Sequence, residues 1–462
     1  MSMEAANPSL SRQAANRLTQ IKYEDIPVSV VSHVKSLFLD TVGTGIAASG
    51  SAWGRQLLSM GGLLSAGGAC TAFGSSIKLG AVAATLANGS LAHALDFDDT
   101  YFAAIVHPSC CVVPACLAAA ETGNVGGRGM IVGAVAGYEF LLRVAHAGLN
   151  NFFKDNFHTT GLLGPLGAAA AASRVLGLSA DKTSNAFGIA AGMGGGLLQT
   201  MREGNQVKAL QAGYAAHGGM LAALLALDGV DGPQRIFEGE LGLYQTYLGK
   251  DRYDLAKLIE SLGQQWLSVD IAIKMFPGAH RHHFFVESAL NLVKQHGLSA
   301  EDIAEIRCLT SEQHQFYNFS PAGYRPPNTH AAKFSVPFLV AAALRNGRIN
   351  AATFTDETIR DEKLLDLASK VTYSVRDNAE APEGRGHVII LLKEGGQVEN
   401  VQSYIRGLPE SPATKEDLWS KFSDNAAGLM RESDVKTVYN RIMNLETLEP
   451  GFRLFDGIAF KD

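Results

Sequence analysis

Charge is scarce in this sequence: Asp, Glu, Lys and Arg make up 18% of 462 residues, where an average soluble domain carries about 25%. The formal net charge is −6, and basic residues form no extended run. Nucleic acid and anionic membrane, which are held by dense positive charge, are therefore not expected as partners. Long apolar runs are also missing. "GMLAALLAL" (Gly219–Leu227) is among the longest and falls well short of the roughly 18 residues of a membrane helix. The opening "MSMEAANPSLSRQAANRL" has neither a basic n-region nor an apolar h-region, so no export signal is expected. Five cysteines in a chain of this length do not make a disulfide framework. The expectation is a soluble, cytoplasmic protein whose partner is a small molecule.

Glycine is plentiful, 49 of 462 residues against a usual share of about 7%. In the first half it punctuates alanine-rich segments, which suggests closely packed helices. From Ile26 to about Trp266 the pattern is helical almost throughout. "IPVSVVSHVKSLFLDTVGTGIAAS" repeats apolar residues at i, i+3 and i+4 and starts on a proline. "TGLLGPLGAAAAASRVLGL" and "GYAAHGGMLAALLALDG" read as buried helices. "KTSNAFGIAAGMGGGLLQT" reads as a helix broken at Gly192 and Gly194–Gly196, a packing or hinge element. No strand precedes it and no GKS or GKT follows, so it is not a phosphate loop. Beyond Asp270 the texture changes. "AEIRCLTSEQ" and "KVTYSVRD" look like strands, and "HVIILLKEGGQVENVQSYI" like a hairpin turning at Gly395–Gly396. "HFFVESALNLVKQHG" and "KFSVPFLVAAALRNG" look like helices. After Gly407 the chain turns helical again, from Thr414 to Leu445. At this length two domains are expected.

Three carboxylates, two histidines and two cysteines crowd into "HALDFDDTYFAAIVHPSCCVVP" (His93–Pro114), with a third cysteine, Cys116, two residues further on. Asp96, Asp98 and Asp99 with a histidine could hold a divalent ion through oxygen, but the HExxH pattern is absent from the chain. Cys110, Cys111 and Cys116 lack cluster-type spacing and read as small buried hydrophobes. No G-x-S-x-G elbow is present, and no cysteine has an evident activating base nearby in sequence. General acid–base work on a small anion remains. The supply is His107, His158, Lys208 and Lys274, each set among apolar or glycine-rich neighbours. A buried lysine demands an anion, so the two lysines suggest a carboxylate pocket.

"NGSLAHALDFDDTY…HPSCCVVPACLAAAE" resembles the signature of the MmgE/PrpD family. So do "FHTTGLLGPLGAAAAASRVLGL", "NAFGIAAGMGGGL", "KALQAGYAA", "GPQRIFEGELGLY", "IKMFPGAHRHHFFVESA" and "AKFSVPFLVAAAL". The resemblance runs from about residue 10 to 445. It implies a mainly α fold: a large all-helical domain (1–268 and 407–462) with a smaller α+β lid inserted at 269–406. It implies a homodimer that needs no metal or organic cofactor, with the site between helical domain and lid. The family includes 2-methylcitrate dehydratases, cis-aconitate decarboxylases and an epimerase acting on iminodisuccinate. Position by position, the decarboxylase branch implies Asp96, Thr100, His107, His158, Lys208, Lys274 and Tyr324. In this reading His107 shuttles the proton, the lysines clamp carboxylates, and His158 orients substrate or serves as the second acid–base group. Tyr324 donates to a leaving group or carboxylate. Thr100, His280 and His283 join the substrate-binding set, His282 is either an extra cleft group or surface, and Asp98 or Asp99 satisfies helix-terminal amides.

The sequence departs from its relatives in four places. The linker "TYFAAIV" is one residue longer than expected for the mammalian-type decarboxylase. Gln211 stands where a histidine commonly follows the first lysine. Pro-Gly-Ala-His follows Lys274 in place of the usual Pro-Cys-Cys or Pro-Ala-His, and a Trp-Gly-His stretch is missing at His158. The resulting expectation is a cofactor-independent lyase, dehydrating or decarboxylating a small di- or tricarboxylic acid. An epimerase on a similar substrate and an inactive dimeric binding relative are the alternatives.

Overall fold

The computed structural model describes residues 8–65, 67–310, 321–375 and 386–461. The ends of the two segments read as strands, Ser311–Gln313 and Arg376–Asp377, lie outside the described residues.

Helices dominate the first half: α1 (Leu10–Gln20), α2 (Val28–Ser49), α3 (Ala52–Leu63), α4 (Ala81–His93), α5 (Ser109–Gly123), α6 (Gly127–Ala147), α7 (Thr159–Val175), α8 (Ala180–Ala191) and α9 (Val207–Asp228). As the sequence predicts, α2 begins directly after a proline, Pro27, which takes the N-cap position. Small residues let the central helices approach closely. A Cβ at Gly213 of α9 would lie 1.9 Å from the Ser90 hydroxyl of α4, so no larger side chain fits there without displacing a helix. A two-stranded hairpin, β1 (Cys70–Thr71) with β2 (Lys78–Leu79), interrupts the helical half. The hydrophobic pattern did not announce it because each strand is two residues long.

α6 and α9 are long and apolar enough to cross a membrane by length and composition. The sequence shows no such run because small and polar residues interrupt each one. α6 is a core helix: its window is 94% buried, and it carries the buried ion pair Glu139–Arg143. The Glu139 carboxylate also accepts the backbone N–H groups of Leu267 (3.0 Å) and Ser268 (2.9 Å), which anchors the chain just ahead of Lys274.

From residue 276 the chain builds a separate hydrophobic core. It contains α10 (His283–His296), β3 (Ile303–Thr310), α11 (Val336–Asn346), α12 (Glu362–Ser369), β4 (Val371–Val375), β5 (Gly386–Leu392) and β6 (Gln397–Gln402). The strands form one sheet in the order β4-β3-β5-β6. β3 pairs parallel with β4 (Ile306 opposite Val371) and antiparallel with β5 (Ile306 opposite Ile390). β5 and β6 form the expected antiparallel hairpin, with Gly395 and Gly396 both at positive φ. Gly386, Val388 and Ile390 of β5 are buried in alternation, so one face of the sheet packs on α10 and α11. The fold is mainly α with a smaller α+β region.

The last helical stretch is two helices, α13 (Lys415–Ala426) and α14 (Glu432–Met443). Gly428 between them has φ +80°, which ends the first helix. Leu418 and Phe422 of α13 and Val438 of α14 belong to the same core as α2, α5 and α6. The α+β core is thus spelled by chain that lies between two contributors to the helical core.

Candidate active site

The segment that follows α4 makes the floor of a cavity of about 160 Å³, close to the ~150 Å³ that accommodates benzene. Seven expected residues line it: Asp96, Thr100, His107, His158, Lys208, Lys274 and His280. They come from four separate stretches of chain, and backbone hydrogen bonds hold those stretches in register. Thr100 exchanges N–H···O bonds with Ala272 at 2.8 and 2.9 Å, which brings Lys274 over Asp96. Asp96 itself has φ +48°, a conformation that Asp tolerates better than most residues. Its carbonyl accepts from Gly278 N–H (3.0 Å) and from Lys274 Nζ (2.9 Å). Ile105, in the lengthened linker, has φ +50°; a β-branched residue there is strained, as residues at functional sites often are.

Asp96 Oδ1 is shared by two ammonium groups, Lys274 Nζ at 2.8 Å and Lys208 Nζ at 3.3 Å. Burial pushes the Asp96 carboxyl up, yet Lys208 and Lys274 outweigh it and hold the group well below the usual carboxylate range. Two cations against one anion leave a net positive charge in a buried place. Such a site attracts a carboxylate and stabilises negative charge that develops near the lysines.

Two imidazoles border this charge, and their hydrogen bonds assign their tautomers. His107 Nδ1 donates to the Asp99 carbonyl at 2.6 Å, and the His107 backbone N–H donates to Thr160 Oγ1 at 3.0 Å. Nε2 therefore carries the lone pair, 4.0 Å from Asp96 Oδ1. His158 Nδ1 donates to Gln211 Oε1 at 2.7 Å, and Gln211 Nε2 is in turn occupied by the Leu197 carbonyl at 3.2 Å. His158 Nε2 is left buried without a partner. Burial, then the neighbouring lysines, lowers both pKa values well below that of free histidine. Both rings are neutral at physiological pH and present a basic nitrogen.

The glycine run explains how His158 is seated. His158 N–H donates to the Gly196 carbonyl at 3.1 Å, and Gly195 N–H to Gly161 at 3.2 Å. A Cβ at Gly194 would stand 2.0 Å from the Leu162 carbonyl, so this backbone-to-backbone contact admits only glycine. The packing element anticipated in the sequence holds the start of α7.

His93 is the site residue that sequence reasoning missed. It ends α4, buried, with Nδ1 on the Asp98 carboxylate at 2.8–2.9 Å and Nε2 2.6 Å from Lys208 Nζ. Its ring lies 4.7 Å from that of His107 and stacks on His158 at 5.6 Å. The available signal was its position five residues before Asp98 at a helix end. The three acids of the opening stretch thus divide their work. Asp96 meets the lysines, Asp98 orients His93, and Asp99 accepts the Ser109 N–H at 3.2 Å and the Ser109 hydroxyl at the start of α5. The helix-amide role expected of Asp98 or Asp99 falls to Asp99.

His93, Asp96, Asp98 and His107 offer ligand atoms within 4.8 Å of one another. Apart from His107 Nε2, the donors are largely committed: two ammonium groups hold Asp96 Oδ1, and Asp98 and Lys208 hold the two nitrogens of His93. A divalent cation would have to share this space with two lysines, a poor fit for a metal.

The lid-side turn His280–His282 supplies His280, Arg281 and His282 to the wall. Two expected residues lie elsewhere. His283 packs behind His280, ring centres 4.8 Å apart, and is not part of the lining. The Tyr324 hydroxyl donates to the Val371 carbonyl at 3.0 Å, tying it to the α+β sheet and away from the cavity. Two further lysines support the floor unannounced. Lys333 donates to the Ala94 carbonyl at 2.8 Å. Lys421, from α13, pairs with Asp40 of α2 and donates to the carbonyls of Phe97 (2.9 Å) and Lys274 (2.7 Å).

A mainly helical body, a smaller α+β unit and a cation-rich cavity with two neutral imidazoles define a class suited to proton transfer beside a bound anion. The family follows from comparison with known proteins. Residues 12–256 match the MmgE/PrpD N-terminal domain and residues 276–446 the MmgE/PrpD C-terminal domain; the chain belongs to the MmgE/PrpD family. It is 27% identical to a cis-aconitate decarboxylase-like protein of Aspergillus oryzae, over 95% of both chains. It is 28% identical to cis-aconitate decarboxylase of Homo sapiens, over 96% of this chain and 92% of the relative. A 2-methylcitrate dehydratase of Salmonella typhimurium is 26% identical over 64% of this chain and 63% of its own length. Enzymes with decarboxylase and dehydratase names support a lyase.

Proposed function

We propose that the protein is a cofactor-independent lyase acting on a small di- or tricarboxylic acid, and that decarboxylation of a cis-aconitate-like acid is its reaction. The observation that carries this is the pairing of two buried imidazoles, available for proton transfer, with two ammonium groups that share one carboxylate. The decarboxylases cover nearly the whole chain, the dehydratase about two thirds, which favours loss of CO₂.

Lys208 and Lys274 hold a substrate carboxylate and stabilise the enolate-like charge that builds beside it. Binding a polyanion raises the pKa of the nearby imidazole, so His107 enters the reaction carrying a proton on Nε2. The C–C bond to the departing carboxylate breaks, its electron pair moves through the alkene toward the carbon beside a remaining carboxylate, and that carbon takes the His107 proton. The double bond shifts, CO₂ leaves, and His107 is neutral again until solvent returns the proton. His158 accepts a hydrogen bond from a protonated substrate group or serves as the second base. Dehydration would use the same cavity with the proton moving the other way, from substrate carbon to neutral imidazole.

Proton NMR in deuterium oxide with cis-aconitate, 2-methylcitrate, citrate and iminodisuccinate tests the reading. Decarboxylation of cis-aconitate with one deuterium entering the product is expected, and His107→Ala should abolish it while leaving the fold intact. Near-wild-type turnover in that variant overturns the mechanism. Deuterium exchange without net loss would replace the lyase by an epimerase, and binding without turnover by a binding relative.

A further inference from the structure

The lysine ion pairs described so far centre on Asp96. The turn His280–His282 brings a different cation to the wall: Arg281 lines the cavity and is half-buried. Among the described residues no carboxylate pairs with it; the same holds for half-buried Arg174, which bonds the Ile21 carbonyl, but Arg281 is the arginine that lines the cavity. Burial alone lowers its pKa, with no neighbouring acid to offset that. A guanidinium does not escape burial by losing its proton, so one withdrawn from water without a counter-ion favours any anion that can reach it. Next to it, buried His280 leaves both ring nitrogens without partners. Unpartnered donors of this kind mark a place where a ligand completes the hydrogen bonding.

The charges can be followed through the cavity. At the lysine end, Lys208 and Lys274 share the single carboxylate they contact, Asp96, which leaves them able to take a substrate carboxylate. Arg281 supplies a further positive charge to the lining, with no ion pair to Asp96. We infer that Arg281 is a specificity-determining residue that pairs with a second, distal carboxylate of the substrate, so that the cavity selects polycarboxylates over acids with one carboxylate. The inference rests on the carboxylate-binding reading above and deepens it. The planar, forked donors of arginine suit a carboxylate held two-point, while the lysine end offers point charges.

Isothermal titration of the full-length protein with two unreactive acids tests this: tricarballylate, with three carboxylates, and butyrate, with one. Wild type should bind tricarballylate far more tightly. Arg281→Gln should weaken tricarballylate by about 10- to 100-fold, the range for a charge-assisted hydrogen bond, and leave butyrate unchanged. Arg281→Lys keeps the charge and the methylene packing and should retain part of the preference; it serves also if Arg281→Gln fails to fold. Equal weakening of both acids, or an unchanged affinity for tricarballylate in both variants, overturns the inference and leaves the lysine end standing. Wild type that binds neither acid overturns the carboxylate reading itself, and the inference with it.

Discussion

Gln211 should control the protonation of His158, and replacing it gives a change that can be worked from the geometry. In Gln211→Glu a carboxylate replaces the amide oxygen 2.7 Å from His158 Nδ1. At an effective dielectric constant of about 20, opposite unit charges at that separation attract by about 6 kcal/mol, equivalent to roughly 4 pKa units. The new carboxylate must itself be desolvated, and Lys208 still repels a protonated ring. A net rise of about 1–3 units is the outcome for an imidazole beside a carboxylate. The sign is definite. In wild type the lowered pKa keeps His158 neutral down to acid pH, and in the variant the imidazolium persists upward. Steps that need its basic Nε2 fail at a higher pH, so the acid limb of kcat/KM moves up by about 1–3 units. Gln211→Leu removes the acceptor without adding charge and should lower kcat/KM by about 5- to 150-fold, equivalent to 1–3 kcal/mol, with no such displacement of the limb. Both variants lose the Nε2 bond to the Leu197 carbonyl, so their difference reports the charged acceptor that only Gln211→Glu keeps. ¹⁵N NMR of histidine-labelled wild type should show His158 protonated on Nδ1. An Nε2–H tautomer, or an acid limb that stays put in Gln211→Glu, refutes the reasoning.

Other changes follow from the same contacts. Lys421→Met leaves Asp40 buried without its partner and should destabilise by about 3–5 kcal/mol in urea unfolding; adding Asp40→Asn should recover part of that, and full stability of the single variant would contradict the pairing. Gly194→Ala drives a Cβ into the Leu162 carbonyl, and should lower stability by about 1–3 kcal/mol together with kcat/KM. Lys333 has its pKa lowered by burial from 10.5 to about 8, so between those values the unfolded chain binds more protons than the folded one. The stability of wild type relative to Lys333→Met should therefore rise on going from pH 8 to 10.5, by on the order of 3 kcal/mol; a flat or falling difference would show that the folded lysine is not perturbed.

Much of the fold was legible because the chain's periodicities are plain. The Gly395–Gly396 hairpin, the proline-started α2 and the change of texture after Asp270 all come from local patterning. The residues gathered in the cavity were legible through the resemblance, since nothing in spacing alone brings Asp96, His158 and Lys274 together. What escaped was long-range. Lys421 reads as one polar residue of an amphipathic helix until α13 is seen to lie on α2. Lys333 precedes a phenylalanine on a short turn, and His93 looks like a core histidine. Gln211 was noted only as a departure, and its use depends on a residue 53 positions away. Tyr324 is the reverse case: the resemblance points to it, while its hydroxyl donates to the Val371 carbonyl and it is not among the residues lining the cavity.

The bonds of Lys421 also bear on the order in which the molecule is made. Its ammonium holds the backbone of Phe97 and Lys274, the two stretches that frame Asp96, and it is made 147 residues after Lys274. Ribosomes extend chains by about 5–20 residues each second, so most of the helical core is available well before this lysine emerges. Until it does, the carbonyls of Phe97 and Lys274 have no ammonium between them and the floor of the cavity is unsupported. A nascent chain can be largely folded and still be inert, and competence arrives only once residue 421 has been made and has docked.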